Sequence, residues 1–244
     1  MLMKANRSLG DSDPVMARQL VRTCRSAALA SALPGKRSGW PYASLVTVAC
    51  DVDASPILLL SGLADHSRNL AIDDRACLLF EAASGRPNPQ TGPRVSLTGR
   101  LQVAKNENLA CRFLARHPGA KRYAGFGDFA FYRMAVDRAH YVGGFGRAKW
   151  FGAARFLFEQ EISRDVAMAE NDIVENLNEK HPGNVASVAR KLFGSSGKIW
   201  ETTAVDPEGC DFRCRNTFRR HNFDEPAVSV GDLREKIANL VENL

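Results

Sequence analysis

No stretch of the 244-residue chain approaches the roughly 20 uninterrupted apolar residues that a membrane-crossing helix needs. The first ten residues hold Lys4 and Arg7 but neither an apolar core nor a cleavage pattern, so no secretory leader is expected. A soluble, cytoplasmic protein without membrane partners follows as the expectation. The chain also lacks a Walker phosphate loop, a His-Glu-x-x-His helix, a Gly-x-Ser-x-Gly elbow and a Rossmann glycine fingerprint. Gly194-Ser195-Ser196-Gly197-Lys198 shares only the composition of a phosphate loop and reads as a turn. Cys24, Cys50, Cys77, Cys111, Cys210 and Cys214 are scattered, and the close pair Cys210/Cys214 has no second pair to complete a zinc site. With no secretory signal beside them, all six read as reduced thiols. Lys and Arg are dispersed rather than gathered in runs, so nucleic acid is not an expected partner.

What is present divides the chain in two. The net charge is +6, but residues 1–160 carry 22 Lys and Arg against 12 Asp and Glu, while residues 161–244 carry 11 against 15. A basic first part and an acidic second part suggest two units: a domain over 13–160 and a smaller one over 168–244, with Glu159 to Ala169 as linker. The basic charge suits an anionic small ligand.

Asp13-Pro14 starts a helix, and Leu20, Val21, Cys24, Ala27 and Ala28 continue it at helical spacing towards Pro34-Gly35. Strand signals follow at Ser44–Cys50, Ile57–Leu60 and Cys77–Phe80, with a short helix over Asp65–Ile72. Arg94–Val103 alternates polar and apolar throughout. Asn106 caps a helix carrying Leu109 and Phe113. Strand residues return from Asp128 to Val142, and Gly143-Gly144 breaks them. Many strands with few helices between them argue for an antiparallel barrel. In the second part, Asp172–Leu177 and Val185–Phe193 read as helices, and Ile199–Val205 and Cys210–Phe223 as strands about the Asp206-Pro207-Glu208-Gly209 turn. A last helix opens at Ser229 with Asp232 as its capping box and shows Leu233, Ile237, Leu240, Val241 and Leu244 on one face. The fold class is therefore α+β: an antiparallel barrel with flanking helices, then a small α/β domain.

The stretch from Leu58 to Leu70 carries the most chemistry. A buried strand ends in Ser61-Gly62, and Ser67, Arg68 and Asn69 then offer hydroxyl, guanidinium and amide at the start of a helix. That is a phosphate cradle, with Arg68 as a bidentate clamp, or a capped helix with a solvated arginine; the residues leave both readings open.

Pro41-Tyr42-Ala43-Ser44-Leu45-Val46, Leu60-Ser61-x-Leu63-Ala64-x-His66-Ser67-x-Asn69-Leu70, Arg94 to Leu101, Asp128-Phe129 and Val142-Gly143-Gly144-Phe145-Gly146-Arg147-Ala148 occur in that order. The series resembles the FMN-binding split-barrel superfamily related to pyridoxamine 5′-phosphate oxidase, and within it the haem-utilisation branch. Asp172-Ile173-Val174-x-x-Leu177-Asn178-x-x-His181 and Asp206-Pro207-Glu208-Gly209-x-Asp211 resemble the small domain that accompanies this branch. The resemblance implies a split barrel and a homodimer with cofactor sites at the subunit interface. It places Ser61, Ser67, Arg68 and Asn69 at an FMN phosphate, with Arg94 as a further contact and Ser44 near the flavin ring. Asn69 stands where the oxidases carry Lys, and their C-terminal Arg-x-His is absent, so pyridoxamine phosphate oxidation is not expected. Three functions remain open: an FMN-dependent oxidoreductase, a haem-binding protein using the same cleft with His181 as candidate iron ligand, and a non-catalytic regulator of tetrapyrrole metabolism.

Overall fold

The computed structural model describes residues 12–194 and 199–242, so the turn expected at 195–198, the start of the chain and Leu244 of the last apolar stripe lie outside the described residues. In chain order the elements are α1 (Ser12–Thr23), β1 (Ser26–Ala32), β2 (Pro41–Thr47), β3 (Ala49–Cys50), β4 (Pro56–Ser61), α2 (Asp65–Ile72), β5 (Arg75–Glu81), β6 (Arg94–Val103), α3 (Glu107–Arg116), β7 (Phe129–Gly144), β8 (Arg147–Gly152), α4 (Ala153–Phe156), α5 (Gln160–Lys180), α6 (Pro182–Phe193), β9 (Glu201–Asp206), β10 (Gly209–Cys214), β11 (Thr217–Asn222) and α7 (Val230–Glu242). The fold is α+β: a curled antiparallel split-barrel sheet with flanking helices, and a second, smaller α/β assembly.

The first compact unit comprises residues 12–50, Ala54–Asn106 and Ala120–Leu157. Its strands run in the order β2-β1-β5-β6-β7-β4-β3, every neighbour antiparallel, with β8 pairing on β7. The long β7 makes the curl: its start pairs with β4, its middle and end with β6, and its end also with β8. The inner face carries Leu29, Leu58, Leu78, Phe80, Val95, Leu97 and Met134, all fully buried with α1 residues Ala17 and Val21. Arg18 donates to the Phe156 carbonyl at 3.0 Å, which satisfies one of the orphan carbonyls at the end of α4.

Three sequence expectations change here. The helix from Asp13 ends at Thr23, and Ala27 and Ala28 lie on β1 rather than on that helix. The run Ser-Ala-Ala-Leu-Ala-Ser-Ala has no strong local preference, and pairing with both β2 and β5 decides it. Gly143-Gly144 does not end the strands: Gly144 (φ +128°) and Gly146 (φ +75°) form the turn into β8, which the sequence reading left out. On β6 the alternation breaks at a bulge between Thr98 and Gly99. A Cβ on Gly99 would stand 2.2 Å from the Ala135 carbonyl oxygen, so only glycine lets β7 come this close.

The second unit comprises Asp51–Asp53, Glu107–Gly119 and residues 158–242. Here β11-β10-β9 form an antiparallel sheet packed with α3, α5, α6 and α7. The segment Glu159 to Ala169, read as linker, is mostly the first half of α5: Ile162, Val166, Ile173 and Leu177 recur at helical spacing and are buried. Cys210–Phe223 is two strands, turned at Arg215, which has φ +53°. Asn178 clamps β9, donating to the Thr202 carbonyl and accepting from its N–H, both at 2.8 Å. The Ser229–Asp232 cap forms in half as read: Asp232 N–H donates to Ser229 Oγ at 3.0 Å, while the Asp232 carboxylate accepts from Val228 N–H at 2.9 Å rather than from Ser229 itself.

Candidate functional site

The turn from β4 into α2 is held by a residue from far along the chain. Ser61 Oγ donates to Asp128 Oδ2 at 2.6 Å, and Gly62 N–H donates to the Asp128 carbonyl at 2.6 Å. Asp128 is thus the residue that shapes the strand-to-helix turn; in the sequence it stood out only as part of the Asp128-Phe129 motif at the start of a strand, with no role assigned. Ala64, an extended residue with no capping side chain, precedes α2, so Asp65 in the first turn supplies the negative charge there.

Three side chains of α2 reach different partners. His66 Nδ1 lies 3.1 Å from Ser44 Oγ on β2, which joins Ser44 to the start of the helix. Burial holds the His66 imidazole below its ordinary value of 6.5, against the opposing pull of Asp65. Asn69 Nδ2 donates to the buried Ser31 Oγ at 3.0 Å. Ser67 is 5% exposed, and its Oγ has no hydrogen-bond partner among the described residues. Arg68 points into solvent and pairs with Asp65 at 3.5 Å.

The expected phosphate donors are therefore only partly gathered. Ser44, Ser67, Arg68 and Asn69 surround α2, and Ser61 lies at the turn before it. Arg94 is elsewhere: it pairs with Val142 at the far end of β7, while Ser61 pairs with Phe129 at its start. Thirteen residues of strand separate those two partners, about 40 Å of extended chain. Arg94 Nη1 donates instead to the Gln90 and Gly92 carbonyls, each at 3.3 Å.

The outer face of the same sheet carries a groove of about 730 Å³. Its floor is small: Ala30, Ala32, Cys77, Thr98 and Gly99. Arg75, Arg100 and Asp137 line its edge, and Ser31 and Asp73 tie it to α2. Arg75 holds the Asp73 carboxyl down to about 2 from an ordinary 3.8, and Arg100 pairs with Asp74. Burial pushes the Cys77 thiol up. Register then shows a single cross-strand row on this face, Leu45-Ala28-Leu79-Ser96-His140-Trp150. Leu45 is 80% exposed, Leu79 38% and Trp150 48%, and the His140 ring stacks on Trp150 at 4.6 Å. Sequence reading missed this surface, because it depends on which strands become neighbours. Arg147 of the glycine turn is engaged by the start of α1, donating to Asp13 and Ser12 at 2.6 and 2.7 Å.

In the second unit His181 is exposed at the junction of α5 and α6. Among the described residues, no group of three His, Cys, Asp or Glu is placed to hold a metal ion, and no helix is long and apolar enough to cross a membrane. The six cysteines are free thiols.

Residues 10–158 match the model of the CREG β-barrel family. Over 194 residues the chain is 29% identical to the atypical chloroplastic heme oxygenase HOZ of Arabidopsis thaliana, covering 77% of this chain and 58% of that protein, so it spans less than two thirds of that relative. A protein of unknown function from Agrobacterium tumefaciens shares the fold at 24% identity and a TM-score of 0.78, with 99% of this chain and 98% of that one covered. A heme binding protein from Mycobacterium smegmatis is 26% identical with a TM-score of 0.56, over 98% of both chains.

Proposed function

We propose that this chain, which belongs to the CREG β-barrel family and to the split-barrel proteins related to pyridoxamine phosphate oxidase, binds haem or a related tetrapyrrole on the outer face of its sheet, as a homodimer in the cytoplasm. The observation that carries the reading is the groove. Its 730 Å³ lies within the roughly 300–1,000 Å³ of ligand sites. A floor of alanine, threonine and glycine suits a flat macrocycle, and Arg75 and Arg100 at the edge suit its carboxylates. The likeness to a heme oxygenase and to a heme binding protein supports the same ligand.

The dimer follows from the row around the groove. Exposed Leu45, Leu79 and Trp150 form an apolar band that a second copy would cover, at roughly 1.5–3 kcal/mol per buried large side chain. The second unit, Asp51–Asp53 and α3 with the chain from Phe158 onward, is an accessory domain in this reading, and regulation without catalysis is compatible with it. Hemin titrated into the purified chain should give a saturable Soret band at one equivalent per chain; an unsaturable, solution-like spectrum would end the proposal.

A second reading, an FMN-dependent oxidoreductase, is favoured by one feature. Ser67 offers a buried hydroxyl with no partner in the first turn of α2, where an anion is stabilised. Ser44, Ser61, Ser67, Arg68, Asn69 and Arg94 would be its contacts, Arg94 reaching the phosphate only from a second copy. The flavin would supply the redox chemistry, and these residues would anchor it. Against it, Ser61, Asn69 and Arg68 already have partners, and Asp65 and Asp128 place negative charge beside the cradle. In this reading the protein purifies yellow, and Arg68→Ala weakens FMN binding by about 1.5–3 kcal/mol.

A further inference from the structure

The Asp172-to-His181 motif of α5 is only half explained by packing. Ile173 and Leu177 join the core of the second unit, and Asn178 clamps β9. His181 has no such use: its side chain has no hydrogen-bond or ion-pair partner among the described residues, and neither has that of Asn176.

Both border one cavity of about 200 Å³ between α5 and α7. Its floor is Ile173, Leu177 and Ile237, which are 3%, 8% and 4% exposed. Arg234 stands beside Asp172 at one end, donating to its carboxylate at 2.6 Å. His181 stands at the other, just past the end of α5 and nine residues or about 13 Å beyond Asp172. The volume is below that of the smallest common cofactor sites and a little above that of a cavity that holds benzene. It is too small for haem, so it gives His181 a different use from iron ligation.

We propose that this slot binds a small carboxylic acid with a compact apolar body and a hydroxyl at its far end, such as a hydroxylated aromatic acid. The Arg234 guanidinium takes the carboxylate as a fork. The apolar body lies on Ile173, Leu177 and Ile237. His181 and Asn176 hydrogen-bond the distal hydroxyl. Arg234 is free enough to serve, because its bond to Asp172 joins two exposed side chains, 48% and 71%, and such pairs contribute little. The site is independent of the barrel groove and of what that groove binds.

The test is a methyl NMR titration of the full chain, labelled at isoleucine, with 4-hydroxybenzoate and benzoate as probes. The Ile173 and Ile237 signals should shift and saturate within about 10 mM of 4-hydroxybenzoate. Benzoate should bind more weakly, and His181→Ala should abolish that difference. Arg234→Ala should weaken both acids about tenfold, while Asp172→Asn, which frees Arg234, should tighten both. Each variant's unligated spectrum reports whether it is folded; if Arg234→Ala is not, Arg234→Lys, which keeps charge but loses the fork, should still weaken binding. Shifts that do not saturate, or an affinity indifferent to Arg234 and Asp172, would overturn the proposal.

Discussion

The two units are held together by different physics. The barrel's inner face is an apolar cluster closed by Leu, Val and Phe, and the buried charged side chains of that unit, Asp13, Arg18 and Arg22, lie on α1 rather than on its sheet. The second unit carries charge inside. Arg112 pairs with Glu170 with side chains 6% and 5% exposed, and also donates to the Val205 carbonyl at 3.0 Å. Arg220, 2% exposed, holds Asp206 at 2.8 Å and Asp211 at 3.3 Å, and Arg116 reaches Asp211 at 3.4 Å. Each buried charge there is costly alone and tolerable only in company. The barrel sheet keeps an outer face on which a groove opens, whereas the sheet and helices of the small unit are tied by buried ion pairs. Two of its cations, Arg112 and Arg116, come from α3, far upstream in the chain.

The comparison breaks most completely if the second unit is cut by sequence alone. A fragment of residues 168–244 lacks α3 and leaves Glu170 without Arg112. It should show no cooperative thermal transition by circular dichroism, and adding a peptide of residues 105–119 should restore part of it. Within the full chain, Arg220→Ala removes the buried guanidinium that holds both Asp206 and Asp211 and should lower stability by about 3–5 kcal/mol in a denaturant titration. On the barrel, Leu45→Glu should leave the fold intact and weaken the proposed dimer by about 1.5–3 kcal/mol for each copy of Leu45, read by light scattering against concentration. Gly99→Ala forces β6 and β7 apart and should lower the melting stability by about 1–3 kcal/mol.

The smallest effect is a titration. The folded chain disfavours charging His66, so protons bind it less readily than they bind the unfolded chain, whose value is near 6.5. Its contribution to stability is present above 6.5 and is lost as pH falls below it. NMR should place the His66 midpoint under 6.5; a midpoint above it would mean that Asp65 outweighs burial.

Much of the barrel was legible in the sequence because its signals are local. Arg94–Val103 alternates along one strand, and Asp65–Ile72 is bounded by its own residues. The misreadings are where distant partners decide. β1 is alanine-rich and becomes a strand only between β2 and β5, and β8 exists because two glycines fold it back on β7. The site divides in the same way. Ser61, Ser67, Arg68 and Asn69 are near one another in sequence, but the residues that engage two of them, Asp128 for Ser61 and Ser31 for Asn69, lie 67 and 38 residues away. The outer row from Leu45 to Trp150 draws on six strands, so no single segment announces it.

If the outer groove of the sheet is the tetrapyrrole site, filling that groove abolishes binding without disturbing the fold. Thr98→Trp places an indole on the groove floor, on the side of β6 away from the core. Hemin titrations of this variant and the parent chain should be followed at the Soret band, with melting curves as the control for folding. The parent should give a saturable band, and a variant that melts normally should give none. A normally folded Thr98→Trp chain that still binds hemin at one equivalent with unchanged affinity would contradict it.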